Sequence, residues 1–331
     1  MKSRAFGNTD LTVTPFGLGL AALGRPGYIN LGHAADLDQD YSIKEMQARA
    51  FKVLDTAWEA GIRYFDAARS YGRAEEFLGN WLRARNISST EVTIGSKWGY
   101  TYTADWQVDA DVHEVKEHSL AVLQRQIKET RANLGDYLDL YQIHSATQAS
   151  GVLENQAVLL ALACLRDAGL KIGLSLSGEG QAATLVQALE IEFDGRPLFA
   201  SVQATWNLLE RSAGETLAAA HDAGLGVIVK EAVANGRLTP RNQRPEFAKK
   251  RAVLTEIAQE LDTTIDALAL AAVLAQPWVD VVLSGVATTE HLASNLKALD
   301  INWNAELEDR LSGLVETPKE YWGIRSELDW N

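Results

Sequence analysis

The chain has 331 residues, 47% of them apolar, which is enough for one large barrel or two ordinary domains with a substantial core. Its formal charge of −13 argues against unaided binding to nucleic acid or an anionic membrane, since both need basic patches. One cysteine, Cys164, leaves no intrachain disulfide and reads as a small core residue. No apolar run approaches a membrane span, and the N-terminus has no apolar signal core, so a cytoplasmic protein with no membrane partner is expected.

In chain order, short apolar or β-branched runs alternate with amphipathic segments. Strands are expected at 16–20, 62–66, 92–97, 138–144, 171–177, 198–204, 225–230 and 279–284. Helices are expected at 43–60, 74–85, 113–134, 155–167, 181–190, 213–222, 247–276 in two pieces, and 290–298. Within 113–134, Val115, Val122, Leu123, Ile127 and Leu134 recur close to helical spacing. Ala60-Gly61, Ala168-Gly169 and Ala223-Gly224 end helices with the residue that turns most easily into a following strand. Eight strands with eight helical zones predict a single (β/α)8 TIM barrel domain over residues 1–331. A doubly wound sheet would need a Gly-x-Gly-x-x-Gly turn, and Gly17-Leu18-Gly19 lacks the third glycine.

Two irregular stretches, 24–41 and 98–112, fall at the C-terminal face of such a barrel, where active sites are built. The second carries Trp98, Tyr100, Tyr102 and Trp106, which either wall a pocket or pack the loop onto the barrel. Trp98, Tyr100, Trp106 and Trp206 are the candidate pocket residues, and the 317–331 tail, with Tyr321, Trp322 and Trp330, either closes over the mouth or packs as a helix. The six histidines are scattered, and His113 and His118, five apart on an expected helix, share no face; no metal is expected.

The chemistry concentrates at three consecutive strand ends. Asp66 closes the second strand, Tyr71 lies in its loop, Lys97 closes the third and His144 the fourth. In a barrel these four converge on one mouth. A phenol has an ordinary pKa near 10, so a Tyr that donates a proton needs a nearby cation and a carboxylate to hold it. Lys97 paired with Asp66 is expected to stabilise the Tyr71 phenolate and lower its pKa, while His144 orients a carbonyl.

The chain resembles the aldo-keto reductases. Residues 6–19, running from Phe6-Gly7-Asn8-Thr9 to Gly17-Leu18-Gly19, are similar to that family's hairpin and first strand. Gly61-Ile62-Arg63-Tyr64-Phe65-Asp66-Ala67-Ala68-Arg69-Ser70-Tyr71-Gly72 resembles its central motif, and Asp139-Leu140-Tyr141-Gln142-Ile143-His144 its fourth strand. Further echoes lie at 173–177, 202–208 and 285–290. The resemblance implies an N-terminal β-hairpin, a C-terminal tail over the mouth, and a nicotinamide cofactor, NADPH or NADH, lying across the barrel face. It implies Tyr71 as general acid, Lys97 and Asp66 as its tuning pair, and His144 as the carbonyl-orienting residue. Ser177 and Gln203 would hold the carboxamide, Asn295 the adenine end, and Gly19, Lys230, Gly285, Thr288 and His291 the rest of the groove.

The departures from the family pattern are local. Gly178 replaces a frequent Asn, Lys230-Glu231 stands where an aromatic and a small residue are common, and Gly285, Thr288 and His291 stand where NADP-preferring members place Lys or Arg. The expected activity is hydride transfer between the cofactor and an aldehyde, ketone or sugar-like carbonyl. The alternative is a cofactor-sensing subunit with little turnover. The sequence leaves oligomeric state, substrate and cofactor preference open.

Overall fold

Eight short parallel strands pair in sequence order all the way round and close on themselves. In the computed structural model, which describes residues 1–37 and 39–330, they are β1 (Phe16–Gly19), β2 (Tyr64–Asp66), β3 (Thr93–Trp98) and β4 (Leu138–Ala146), then β5 (Lys171–Leu176), β6 (Ser201–Thr205), β7 (Gly226–Lys230) and β8 (Val281–Ser284). All eight expected strands form. Asp38, within the 24–41 stretch, and Asn331, at the end of the tail, lie outside the described residues.

Successive residues of a strand point to opposite faces, and this alternation sorts the barrel's two cores. Tyr64, Leu140, Ile228, Val281 and Leu283 fill the interior together with Phe6 and Val13. Phe65, Ile94, Trp98, Tyr141, Ile143, Ile172, Leu174, Val227 and Val229 point outward into the layer between barrel and helices. The antiparallel hairpin Arg4–Ala5 with Thr12–Val13 closes the lower end and inserts Phe6, which is fully buried. At the upper end the inward positions are Asp66, Lys97, Gln142, His144, Gln203 and Lys230. The same period that builds the core therefore aims the polar groups at one mouth.

The helices of eight residues or more are α1 (Ile43–Glu59), α2 (Ala74–Ala84), α3 (Leu120–Leu134), α4 (Gln156–Asp167), α5 (Gln181–Leu189), α6 (Gly214–Asp222), α7 (Ala248–Glu260), α8 (Ile265–Leu274), α9 (Thr289–Leu296), α10 (Ala305–Ser312) and α11 (Pro318–Ser326). Ser42, Ser119, Asn155, Thr264, Thr288, Asn304 and Thr317 cap helices by accepting from a first-turn amide. Gly61, Gly169 and Gly224 follow α1, α4 and α6 with φ of 88°, 101° and 94°.

Two expectations are corrected. The helix expected from residue 113 begins at Leu120, because Ser119 caps it; Glu114–Lys116 instead pair with Tyr100–Tyr102 in an antiparallel hairpin. His113 and His118 therefore lie outside any helix. Cys164 is exposed, because the buried face of α4 consists of Val158, Leu159, Leu162 and Ala163. The tail does both things the sequence left open. Tyr321 and Trp322 of α11 pack against α7 and α8, and the chain then returns to the mouth at Leu328 and Trp330.

Candidate active site

The mouth holds a cleft of about 320 Å3. Lys97 donates to Asp66 Oδ2 and, at 2.9 Å, to the Ala67 carbonyl, and both members of the pair are all but fully buried. Asp66 Oδ1 accepts from Gln203 Nε2 at 3.0 Å, Gln142 Nε2 at 3.2 Å and the Tyr64 hydroxyl at 3.3 Å. Four donors on one carboxylate balance the cost of burying it. Gly95 makes room for this cluster: a Cβ there would lie 2.6 Å from the Tyr64 hydroxyl.

Tyr71 rises from the loop after β2, which is zipped onto β3 by Ala67 N to Gly95 O (2.9 Å) and Arg69 N to Lys97 O (3.0 Å). Gly72 takes φ 58°, and a Cβ there would lie 2.4 Å from the Gly24 carbonyl, so the first two mouth loops cross at a pair of glycines. The Tyr71 hydroxyl is 3.4 Å from Lys97 Nζ, and its ring meets the His144 ring edge-on at 5.6 Å and 84°. Tyr100 lies against His144 at 4.8 Å.

The local electrostatics set the protonation states. Burial, then Lys97, Lys230 and Arg25, hold His144 well below its usual range, so it is a neutral imidazole with one N–H to give. Burial first, and the Asp66 charge second, push the Tyr71 phenol up, with Arg25 opposing them. This corrects the expectation that Lys97 lowers it: the Lys97 charge is already matched by Asp66. Tyr71 therefore stands protonated, which is the form a proton donor requires.

Of the cofactor candidates, Gly19, Ser177, Gln203, Lys230 and Gly285 line the cleft. The glycines among them leave room for a flat ring such as nicotinamide. A Cβ on Gly285 would meet nothing within 4 Å and one on Gly19 only the Ser284 carbonyl at 3.8 Å, leaving an open floor. To one side, Thr288 caps α9, and His291 and Asn295 lie on it. The Thr288 hydroxyl caps His291 N at 3.2 Å, and Asn295 donates to Ser284 Oγ at 2.9 Å. His291 Nε2 is 3.0 Å from Arg241, which forks onto Asp36.

Glu231, unplaced by sequence, takes φ 56°. It accepts from Arg325 at 2.6 Å and from Thr205 at 3.1 Å, with Lys230 at 3.7 Å. Burial would raise its carboxyl, but Arg325 and Lys230 bring it to about 2. Burial lowers Lys230 to about 8.

Among the four aromatic candidates for the pocket wall, Tyr100 lines the cleft. Trp98 points outward because its neighbour Lys97 points in, and it is buried under the helices. Trp206 packs edge-on against Trp278 at 5.7 Å, and Trp106 against Phe77 at 6.4 Å. The lining that sequence reasoning did not single out includes Arg25, Tyr28, Glu114, Asn235, Arg325 and Leu328. Arg25 sits in a noted irregular stretch and Leu328 in the noted tail. Glu114 was hidden by a helical pattern that the structure replaces with a hairpin.

A closed parallel barrel whose mouth gathers Tyr71, a buried Lys97–Asp66 pair and His144 places titratable groups where barrel enzymes carry their active sites. The chain belongs to the Aldo/keto reductase family, whose profile matches residues 29–316. It is 26% identical over 316 residues to the oxidoreductase YqkF of Bacillus subtilis, covering 90% of this chain and 91% of that one. It is 28% identical over 334 residues to pyridoxal 4-dehydrogenase of Microbacterium luteolum, covering 89% and 92%. The holo form of aldo-keto reductase AKR11C1 from Bacillus halodurans superposes with a TM-score of 0.73 at 23% identity, over 96% of this chain and 97% of that one. The chain is thus an oxidoreductase acting on carbonyl substrates, of a family that uses nicotinamide cofactors. Among the described residues no helix is long and apolar enough to cross a membrane, and no group of three or more His, Cys, Asp or Glu is placed to hold a metal.

Proposed function

We propose that this enzyme transfers hydride between NAD(P)H and a polar aldehyde, ketone or sugar-like carbonyl, with Tyr71 delivering the proton. The observation that carries the reading is the contact of the Tyr71 hydroxyl with Lys97 Nζ (3.4 Å) in a site where His144 is neutral. When bound, the cofactor supplies or accepts the hydride. His144 donates a hydrogen bond that orients the carbonyl oxygen, and Tyr71 gives that oxygen its proton. Lys97 faces the phenolate left behind, and Asp66, held by Gln142, Gln203 and Tyr64, keeps Lys97 in place. In the oxidative direction Tyr71 takes the proton back.

Ser177, Gln203, Gly19 and Gly285 are the residues that would hold the nicotinamide end, and Thr288, His291 and Asn295 the adenosine end. The substrate side, with Arg25, Glu114, Asn235 and Ser145 beside Tyr28, Tyr100 and Trp330, offers donors and acceptors next to flat apolar faces. That mixture suits hydroxylated carbonyl compounds better than alkyl aldehydes. Pyridoxal 4-dehydrogenase and the L-glyceraldehyde 3-phosphate reductase of Escherichia coli, 27% identical over 315 residues, are relatives named for polar aldehydes. Both NADH and NADPH are accepted in this reading, since Arg241, the cation brought to His291, is already committed to Asp36.

The test is initial rates with each cofactor on aldehydes, ketones and aldoses, for the parent and Tyr71→Phe. The variant loses turnover while still quenching bound-cofactor fluorescence at unchanged affinity. Full activity in Tyr71→Phe would remove Tyr71 from the role.

A further inference from the structure

Arg25 is a charged side chain with only 3% of its surface exposed, and it touches its own loop, the Tyr71 loop, the 100–116 hairpin and the tail. Its Nη1 donates to the carbonyl of Ser70, the residue before Tyr71, at 2.9 Å, and to Glu114 of the 100–116 hairpin at 2.8 Å. Its guanidinium lies 5.3 Å from the Tyr71 ring centre, 5.3 Å from that of Tyr28 and 4.7 Å from that of Trp330. Trp330 in turn stacks flat on His113, with centroids 4.1 Å apart and planes within 4°. The tail is thus clamped between a cation and an imidazole at the edge of the cleft.

We propose that Arg25 is a positioning residue for the Tyr71 proton donor, and that Trp330 closes the tail by seating on it, so that closure of the mouth and alignment of the phenol are one event. This rests on the assignment of Tyr71 as proton donor.

The planar guanidinium suits the task. It anchors the Tyr71 loop through a backbone carbonyl while presenting its face to aromatic rings, which a lysine cannot do together. Its charge is paired with Glu114, and of the two Arg25 acts the more strongly on the phenol. The charged and titratable groups around Tyr71 are Asp66 and Lys97 from the barrel, His144 from β4, Glu114 from the hairpin, Glu231 after β7, Tyr28, and Arg25 itself. Asp66, Glu114 and Glu231 favour the neutral phenol, and Arg25 favours the phenolate. Removing Arg25 therefore makes the phenolate harder to form. Removing the Glu114 charge makes it easier.

The experiment is the pH profile of alcohol oxidation with saturating cofactor, in which the rate rises as Tyr71 becomes a base. Arg25→Met moves that rise up by about one pH unit, which is about a tenfold loss at a fixed pH on the rising limb. Glu114→Gln moves it down, and Arg25→Lys restores the position of the limb but only part of kcat. Trp330→Ala lowers kcat while raising KM, and it frees the last residues to carboxypeptidase. Thermal unfolding and cofactor fluorescence titration are run on each variant. Opposite displacements by Arg25→Met and Glu114→Gln cannot come from general loosening. If Arg25→Met lowers the rate with no displacement of the limb, the proposal is overturned and Arg25 is structural. Should Arg25→Met not fold, Glu114→Gln and Trp330→Ala decide alone. Loss of activity in Tyr71→Phe with unmoved limbs in both Arg25→Met and Glu114→Gln would sink this inference and leave the proton-donor assignment standing.

Discussion

Lys97 donates to Asp66 in a pair whose side chains are 1% and 2% exposed, and three further donors converge on the other oxygen of the same carboxylate. Such a pair is weak evidence of stability as a unit, but breaking it leaves a bare charge in the barrel. Lys97→Met should therefore cost about 3–5 kcal/mol of unfolding free energy in urea and abolish turnover. Asp66→Asn with Lys97→Met should recover a large part of that stability and none of the activity. An unchanged urea midpoint in Lys97→Met would mean the ion pair is not formed in solution.

Gly95 shares a barrel level with Asp66, its register partner on β2. A methyl group there would lie 2.6 Å from the Tyr64 hydroxyl and 3.3 Å from Asp66 Oδ1. Gly95→Ala should destabilise by about 1–3 kcal/mol, as overpacked cores do, and lower kcat by disturbing the Asp66 cluster. Adding Tyr64→Phe removes the clashing oxygen and should return part of the stability. The measurement is urea unfolding of the single and double variants, and no relief in the double variant would place the strain elsewhere.

Much of this was legible because one period governs both packing and chemistry. Asp66, Lys97 and His144 occupy inward positions near the ends of consecutive strands, so the alternation that identifies the strands also predicts the convergence. The same alternation could have excluded Trp98, which is adjacent to Lys97 and must face the helices. Contacts between loops distant in sequence were not legible. Arg25 reaches Glu114 across 89 residues and Trp330 across the whole chain, and no local pattern encodes either contact. The direction of the Tyr71 shift is not legible in the sequence, because it is set by burial and by the Asp66 charge rather than by Lys97.

The buried histidines give stability a pH slope. Burial lowers His33 and His118 from 6.5 to about 4, so between those values the unfolded chain binds more protons and stability falls as pH falls. Asp139 works the other way: burial raises it from 3.8 to about 6, so in that window the folded chain binds the extra proton. The depressed histidines, His33, His113, His118 and His144, outnumber the raised carboxyls Asp139 and Asp280, so together these groups lose stability as pH falls below 6.5. His33 is fully buried against the Tyr28 ring. His33→Phe should thus raise the unfolding free energy in urea more at pH 5 than at pH 7.5, by an amount on the order of 1–2 kcal/mol. Equal effects at the two pH values would show that His33 does not titrate as described.

We propose that cofactor choice turns on a contact between Asp36 and Arg241, which lie 205 residues apart in the sequence. Arg241 forks onto Asp36, whose side chain is 3% exposed, while also touching His291 at 3.0 Å. A 2′-phosphate gains most from a guanidinium with free donors, and here the fork is occupied by a carboxylate of the same sign as the phosphate. Asp36→Asn leaves Arg241 charged and held only by the Leu31 and Gly32 carbonyls and His291, and it removes the repulsion. The ratio of kcat/KM for NADPH over NADH should then rise about tenfold, close to 1.4 kcal/mol. His291→Arg should move the ratio the same way by adding a cation, and Arg241→Ala the opposite way. Fluorescence titration with each cofactor separates this from a general weakening, because NADH affinity in Asp36→Asn should hold steady or fall while NADPH affinity rises. A ratio that does not move in Asp36→Asn would place the 2′ position of the ribose away from the Asp36–Arg241–His291 cluster.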